Sequence, residues 1–237
     1  MTFRSDLPGF SAEAALADLI QSRGPLLNAV AVRPGEIARF EGRVAPLLLD
    51  FWENYGVGDL LQGQLRLCVP FELQEAVQSI FRGDPEFSDK NGVIDVHAVA
   101  HTAFGDLFLW SERHWLVHVN VVLGLVEAPF LHHPEMRTHP DTVAHEMILK
   151  ASGPVLDMAD ASGAPMLERA QKAFDPLPRT VVYAPGPAIS ANPIPDFEDL
   201  YAAHYPEWLL DRAQSKVWYL SDLATGRPNI RVIGDRM

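Results

Sequence analysis

The feature that most constrains the fold is a run of extended, apolar segments in the middle of the chain. Three segments, Val93–Thr102, Asp106–Ser111 and Trp115–Val126, are rich in Val, Leu, Phe and Trp, and short turns separate them. This pattern predicts successive antiparallel strands. The adjacent apolar residues Leu107–Trp110 indicate a strand covered on both faces, because a strand with one bare face would alternate with polar residues.

Helical periodicity precedes and follows these strands. The arrangement predicts an α+β fold with a central, mostly antiparallel sheet flanked by helices, rather than alternating βαβ units. The predicted helices are Ser11–Arg23, a helix that begins at Pro46 and ends near Gly56, Phe71–Phe81, Asp141–Ala151, Met166–Phe174 and Pro206–Ser215.

The last third of the chain is predicted to be less regular. The proline-rich run Pro176–Pro195 indicates irregular or edge-like structure, because proline cannot donate to a sheet ladder. Val217–Leu220 is a candidate late strand, and Ala224–Met237 is expected to be a surface tail. We therefore expect a smaller helical and irregular C-terminal subdomain.

The chain is acidic, with a formal charge of −12 at pH 7. This charge disfavours nucleic acid as a partner, because phosphates need a basic surface. It is compatible with a basic protein partner, since a negative field speeds encounter with positive molecules; solubility alone is the competing explanation. Between Phe71 and Glu112 eight acidic residues stand against two basic ones, whereas the local charge from Arg212 to Met237 is +3.

The sequence also indicates a protein of a reducing compartment. Cys68 is the single cysteine, which excludes an internal disulfide. The longest apolar stretches, such as Val119–Val126, are shorter than the roughly 20 residues that a bilayer requires. Met1–Gly9 lacks the basic and apolar regions of a signal peptide. We therefore expect a cytoplasmic protein that has no membrane partner.

Signatures of catalysis are weak. The motifs GxxxxGK[ST], GxGxxG and GxSxG do not occur. Cys68 lies in an apolar strand pattern and is expected to be buried rather than catalytic. His145-Glu146 begins an HExxH pattern, but Leu149 occupies the place of the second histidine.

The histidines are the sharper alternative. All nine lie between positions 97 and 204, and His97 and His101 are four residues apart, as are His114 and His118. Residues four apart on a strand share a face, so neighbouring strands could gather several imidazoles around a metal. No carboxylate or cysteine accompanies them at a recognised ligand spacing. We therefore predict no metal, no other cofactor and no catalytic residue, while a histidine-dependent metal enzyme stays open as an alternative.

Two blocks of sequence resemble one bacterial family. The first contains PLLLDFWENYGVG at 46–58 and HTAFGDLFLW at 101–110, and it resembles the GAD-like domain of type VI secretion immunity proteins. The second, 166–214, is similar to the C-terminal domain that follows in the same proteins, although Trp208 stands where the family has histidine. The resemblance predicts a GAD-like domain over 1–130, an immunity-protein C-terminal domain over 131–216 and a C-terminal extension over 217–237.

The resemblance implies a binding protein rather than an enzyme. It would neutralise a cognate secreted toxin, typically a DNase, by stoichiometric occlusion of the toxin's active site. Because a nuclease presents a basic cleft, an acidic surface could occupy it. The SMI1/KNR4-like regulatory or scaffolding modules, which also have an aromatic helix before a glycine, remain an alternative. The acidic candidates for the toxin-binding surface are Asp84, Glu86, Asp89 and Glu112.

The motif residues themselves are expected to build the fold. Phe104 and Trp110 are predicted in the core, and Trp52 and Tyr55 are predicted to pack against the sheet. Gly105 is predicted to permit a tight turn. Asp106 would support that turn by accepting hydrogen bonds from backbone amides.

Overall fold

The computed structural model describes residues 11–174, 177–186 and 195–234. The α-helices in these ranges are α1 (Ala12–Arg23), α2 (Pro34–Ile37), α3 (Pro46–Asn54), α4 (Gln74–Phe81), α5 (Pro129–His132), α6 (Pro140–Val143), α7 (Leu167–Ala173) and α8 (Tyr205–Ser215). The strands are β1 (Leu27–Val30), β2 (Val57–Leu60), β3 (Leu65–Leu67), β4 (Val96–Thr102), β5 (Leu107–Ser111), β6 (Trp115–Asn120), β7 (Leu125–Glu127), β8 (Val181–Pro185), β9 (Leu200–His204), β10 (Tyr219–Asp222) and β11 (Arg227–Val232). None of these helices is long and apolar enough to cross a membrane.

A nine-stranded sheet forms the centre of the molecule. Its strand order is β1-β2-β3-β4-β5-β6-β7-β10-β11, and β8 and β9 form a separate antiparallel pair. Every neighbouring pair in the large sheet is antiparallel except β7 and β10, which run parallel. The predicted α+β class with a mostly antiparallel central sheet is therefore confirmed.

Hydrophobic cores lie on both faces of the sheet. Phe108 and Trp110 of β5 belong to the core that α1 and α3 cover, whereas Leu107 and Leu109 belong to the core that α4 and α8 cover. All residues of β4 and β5 are buried. The expectation of a strand covered on both faces is confirmed, because α1 and α3 cover one face of the sheet and α4 and α8 cover the other.

Local signals position several helix ends as expected. The Ser11 side chain accepts a hydrogen bond from the Ala14 amide at 3.3 Å and caps α1. Pro46 occupies the first turn of α3, where its missing amide hydrogen costs nothing. The helix predicted over Asp141–Ala151 is instead a short α-helix, α6, that continues as a π-helix over Ala144–Leu149.

The C-terminal part is more regular than predicted. The proline-rich run was expected to be irregular or edge-like, and its strand β8 is edge-like, because it pairs only with β9 among the described strands. Residues 187–194 lie outside the described residues. The expectation of a surface tail from Ala224 was wrong, since β11 pairs with β10 and Ile233 beyond it is fully buried. The β11 residues are mostly exposed, and an exposed edge strand does not need the apolar residues by which a buried strand is predicted.

Strands on either side of the predicted boundaries at 130/131 and 216/217 share the nine-stranded sheet, through the pairing of β7 with β10. The division of the chain into three parts stays a prediction. One sheet contains strands from both sides of the predicted boundaries. The small β8–β9 pair also attaches to the centre, because the Tyr183 amide donates to the Ala103 carbonyl at 2.9 Å.

Helix α8 packs directly on the turn between β4 and β5. The Tyr205 ring stacks on His101 with centroids 4.1 Å apart, and the Tyr205 hydroxyl donates to the Gly105 carbonyl at 2.8 Å. A Cβ on Gly105 would lie 2.6 Å from the Trp208 ring, and Gly105 has a φ of +90°. Glycine is required here both by the backbone conformation and by the close approach of Trp208.

Candidate functional site

Asp84, the first of the predicted toxin-binding residues, is buried with only 1% of its surface exposed. Arg231 of β11 donates to both of its carboxylate oxygens, at 2.5 and 3.0 Å, and the Gly234 amide donates at 3.2 Å. Burial by itself would raise the pKa of Asp84, but these hydrogen bonds outweigh it and the pKa is lowered. The prediction that Asp84 lies on an accessible acidic surface was therefore wrong, because Arg231 of the C-terminal strand binds its carboxylate.

The other three predicted acidic residues are accessible to different degrees. Asp89 is exposed, although its carboxylate accepts the Asn91 and Val93 amides at 2.8 Å, which lowers its pKa. Glu86 is partly exposed and lies 3.3 Å from the His114 ring. Glu112 accepts from Arg43 at 2.8 Å and lies 2.9 Å from His97. The structure thus leaves Glu86 and Asp89 as the more available carboxylates, while Glu112 is held in a local ion-pair network.

The aromatic motif residues divide in a similar way. Trp52, Phe104 and Trp110 are buried in the cores. Tyr55 is 37% exposed, and its ring lies beside Phe51 with centroids 5.2 Å apart. Tyr55 follows the last residue of α3 and is only partly covered, and its packing against the sheet stays a prediction.

Asp106 has a different role from the one predicted. The Thr102 hydroxyl, not Asp106, accepts the turn amides of Phe104 and Asp106, at 3.2 and 3.1 Å. The Asp106 carboxylate accepts from the Val121 amide at 2.9 Å and from the Asn120 side chain at 3.0 Å. It therefore joins the β4–β5 turn to the loop after β6.

The premise that His97 and His101 share one face of a strand is wrong. β4 contains a bulge between Ala98 and Ala100, so one extra residue reverses the alternation of its side chains. His97 contacts Phe40 in the core under α3, whereas His101 stacks on Tyr205 on the opposite face. Within the described ranges no group of three or more His, Cys, Asp or Glu side chains could hold a metal ion.

The structure contains a cleft, lined by residues from separate segments, that the sequence did not reveal. Its volume is about 950 Å³, and it lies between the face of β5–β7 and the segment 146–163 that follows α6. Apolar side chains of the sheet, Phe108 and Leu116, form part of one wall, and Val155 and Met158 form part of the other. A cleft of this size with a mixed lining is typical of a binding site.

Polar groups of the sheet form the floor of this cleft. His118 lies with its Nδ1 atom 3.8 Å from a Glu127 oxygen, and its Nε2 atom is buried without a partner among the described residues. Beside them, burial raises the pKa of Asp106 to about 6, although His118 and Lys216 attract the ionised form. The floor thus combines a partly exposed carboxylate, Glu127, with the carboxyl group of Asp106, whose pKa is raised.

The opposite wall carries carboxylates that are largely engaged. Asp157 accepts the Leu167 amide at 2.9 Å and caps α7. A hydrogen bond from Ser162 and an ion pair with Arg169 hold the pKa of Asp160 well below its usual range. Lys150, the one lysine or arginine among the described lining residues, pairs with Asp18 at 2.7 Å. The cleft is therefore acidic, and its chemistry suits a cationic group that carries apolar surface.

Residues 14–123 match the family model for the GAD-like domain. This part of the chain is similar to a GAD-like domain. The match lies within the predicted 1–130 and contains strands β1–β6. The domain supplies Asp106, Phe108 and His118 to the cleft, whereas the segment 146–163 lies beyond the matched residues.

A solved structure is similar in fold to most of the chain, beyond the residues that match the GAD-like domain. The crystal structure of Atu4351 from Agrobacterium tumefaciens superposes with a TM-score of 0.82 at 23% sequence identity, covering 92% of this chain and 97% of that one. At this identity the likeness concerns the fold alone. No curated protein matches the sequence.

Proposed function

We propose that this protein is an immunity protein that binds a cognate secreted toxin, a type VI DNase effector, and neutralises it by stoichiometric occlusion of the toxin's active site. It would act in the cytoplasm of the producing cell, without catalysis of its own. The GAD-like match and the order of the two sequence blocks support this function. The observation that carries the proposal is the acidic, partly apolar cleft of about 950 Å³.

A DNase must hold phosphates, so its active site is lined with basic side chains. A loop from such a site offers Lys or Arg groups together with apolar neighbours. In the cleft, Glu127 is 31% exposed and available to a cation, and Leu123 at the rim is an exposed apolar contact. A partner that inserts a basic loop here would lose access to its substrate. Glu86 and Asp89 do not line the cleft and form a separate candidate surface.

The test is to co-express the chain with the product of the adjacent gene and to measure complex formation, DNA cleavage and cell survival. We expect a stoichiometric complex, loss of nuclease activity and survival only when this protein is present. Absence of a complex with the adjacent product would contradict the immunity function and favour a regulatory module.

Point variants separate the two candidate surfaces. Glu127→Lys and Leu123→Arg place positive charge in the cleft and should weaken toxin binding by at least about tenfold, which corresponds to about 1.4 kcal/mol. Glu86→Lys with Asp89→Lys makes the same charge reversal on the predicted acidic surface. Glu207→Lys, at an 83% exposed side chain on α8, is the matched control. Unchanged affinity in both cleft variants would show that the partner does not use the cleft.

A further inference from the structure

A second cavity has the opposite electrostatic character. It has a volume of about 460 Å³ and lies where residues 39–43 meet α4 and the start of β4. Three guanidinium groups line it, from Arg39, Arg43 and Arg82, and no carboxylate is among its described lining residues. In a chain with net charge −12, three arginines around one cavity form a local exception.

Two of these arginines have no close ion-pair partner among the described residues, although Arg39 interacts electrostatically with Glu36. Arg43 donates to Glu112 at 2.8 Å. Neither Arg39 nor Arg82 has an ion-pair partner within the described parts of the chain, and both are exposed. Like charges that line one cavity repel each other, and an anion bound between them relieves this repulsion.

The remaining lining indicates what kind of anion would fit. Gln74 and Gln78 lie one turn apart on α4 and add amide donors, and Phe40 with Val93 supplies apolar surface. A phosphate monoester offers three acceptor oxygens and a charge of about −1.5 to −2 at neutral pH. That charge matches the two guanidinium groups of Arg39 and Arg82, whereas a single carboxylate matches only one of them.

We infer that this cavity binds a small phosphate-bearing molecule, with its phosphate held between Arg39 and Arg82 and its organic part against Phe40 and Val93. The volume falls within the range of about 300–1,000 Å³ that is typical of small-molecule sites. This site is distinct from the acidic cleft and does not depend on the proposed immunity function.

The experiment is isothermal titration calorimetry on the full chain at low ionic strength, with inorganic phosphate, pyrophosphate, AMP and citrate as the probes. We expect saturable one-to-one binding of at least one phosphate compound that weakens as salt is added. The Arg39→Gln and Arg82→Gln variants should each weaken it by about tenfold, since each removes a charge-assisted hydrogen bond. Lys172→Gln on α7 removes an equal charge from a 74% exposed side chain and should leave binding unchanged.

Three outcomes would overturn the inference. They are the absence of saturable binding by any phosphate compound, equally tight binding of citrate, and affinity that is the same in the arginine variants as in the wild type. Because Arg39 and Arg82 are both exposed, the variants should keep the wild-type melting temperature, which circular dichroism checks. Should one variant melt lower, the other single variant still decides the question.

Discussion

Asp106 is a residue whose titration should affect the stability of the fold. Its pKa in the folded protein, about 6, lies above the ordinary 3.8. The folded state therefore holds the proton more tightly than the unfolded state does. The free energy of unfolding that depends on this group is fully present at low pH and is lost as the pH rises through about 6.

We predict that Asp106→Asn removes this loss. As the pH rises from about 4 to about 6.5, the wild type should lose stability that the variant keeps. The free energy of unfolding of the variant minus that of the wild type should therefore increase by at most about 3 kcal/mol, since one pKa unit corresponds to 1.36 kcal/mol. Urea unfolding at a series of pH values measures the difference. Asp211→Asn, on the exposed side of α8, should show no such trend. A flat difference for Asp106→Asn would contradict the prediction.

His101 should act in the opposite direction. Burial lowers its pKa to about 3, with further lowering from Arg66, so the folded state keeps the ring neutral. The unfolded state takes up the proton near pH 6.5, and stability should fall as the pH drops below that value. His101→Phe keeps a ring against Tyr205 and should lose this acid sensitivity in the same unfolding series. His204→Phe at an exposed position is the control, and an unchanged acid slope in His101→Phe would refute the prediction.

At the scale of elements, two isoleucines three residues apart can test whether the C-terminal segment around β11 belongs to the core. Ile233 is fully buried against the α4–α8 side of the sheet, whereas Ile230 in β11 is 40% exposed. Ile233→Ala should lower the free energy of unfolding by about 2–5 kcal/mol, because it leaves a cavity. Ile230→Ala should change it by no more than about 0.5 kcal/mol. Equal, small effects in thermal or urea unfolding would mean that this segment does not belong to the core.

The bulge in β4 shows how one element can change a functional hypothesis. Spacing in the sequence placed His97 and His101 on one face, because strand residues alternate with a period of two. A single extra residue between Ala98 and Ala100 moves them to opposite faces. Bulges depend on pairing with neighbouring strands, so this change was not readable from β4 itself.

At the scale of the whole molecule, the net charge of −12 should govern the speed of association with a basic toxin. We predict that the association rate constant falls roughly ten- to a thousandfold from low to high ionic strength, while the dissociation rate changes less. Stopped-flow or surface plasmon resonance measurements at several salt concentrations would show it. An association rate independent of salt would indicate that long-range charge does not steer the encounter.

Local sequence patterns were sufficient for the fold class, for most helices and for two of the three central strands. The single strand predicted over Trp115–Val126 was wrong, because a turn divides it into β6 and β7. Periodicity, caps and tandem apolar residues act over a few neighbouring positions, so Leu107–Trp110 already indicated a strand buried on both faces. The HTAFGDLFLW segment also indicated the GAD-like domain, which the match over residues 14–123 supports. Burial of Phe104 and Trp110 follows from the same patterns.

The tertiary structure alone decided which charges remain free. Asp84 and Glu86 look equivalent in the sequence. In the structure Arg231, which is distant in the chain, donates hydrogen bonds to Asp84, whereas Glu86 stays partly exposed. The acidic cleft and the arginine-lined cavity likewise join residues from separate segments. Local propensity comes from neighbours along the chain, whereas ion pairing, burial and pKa depend on neighbours in space, which only packing of the complete sheet and its helices defines.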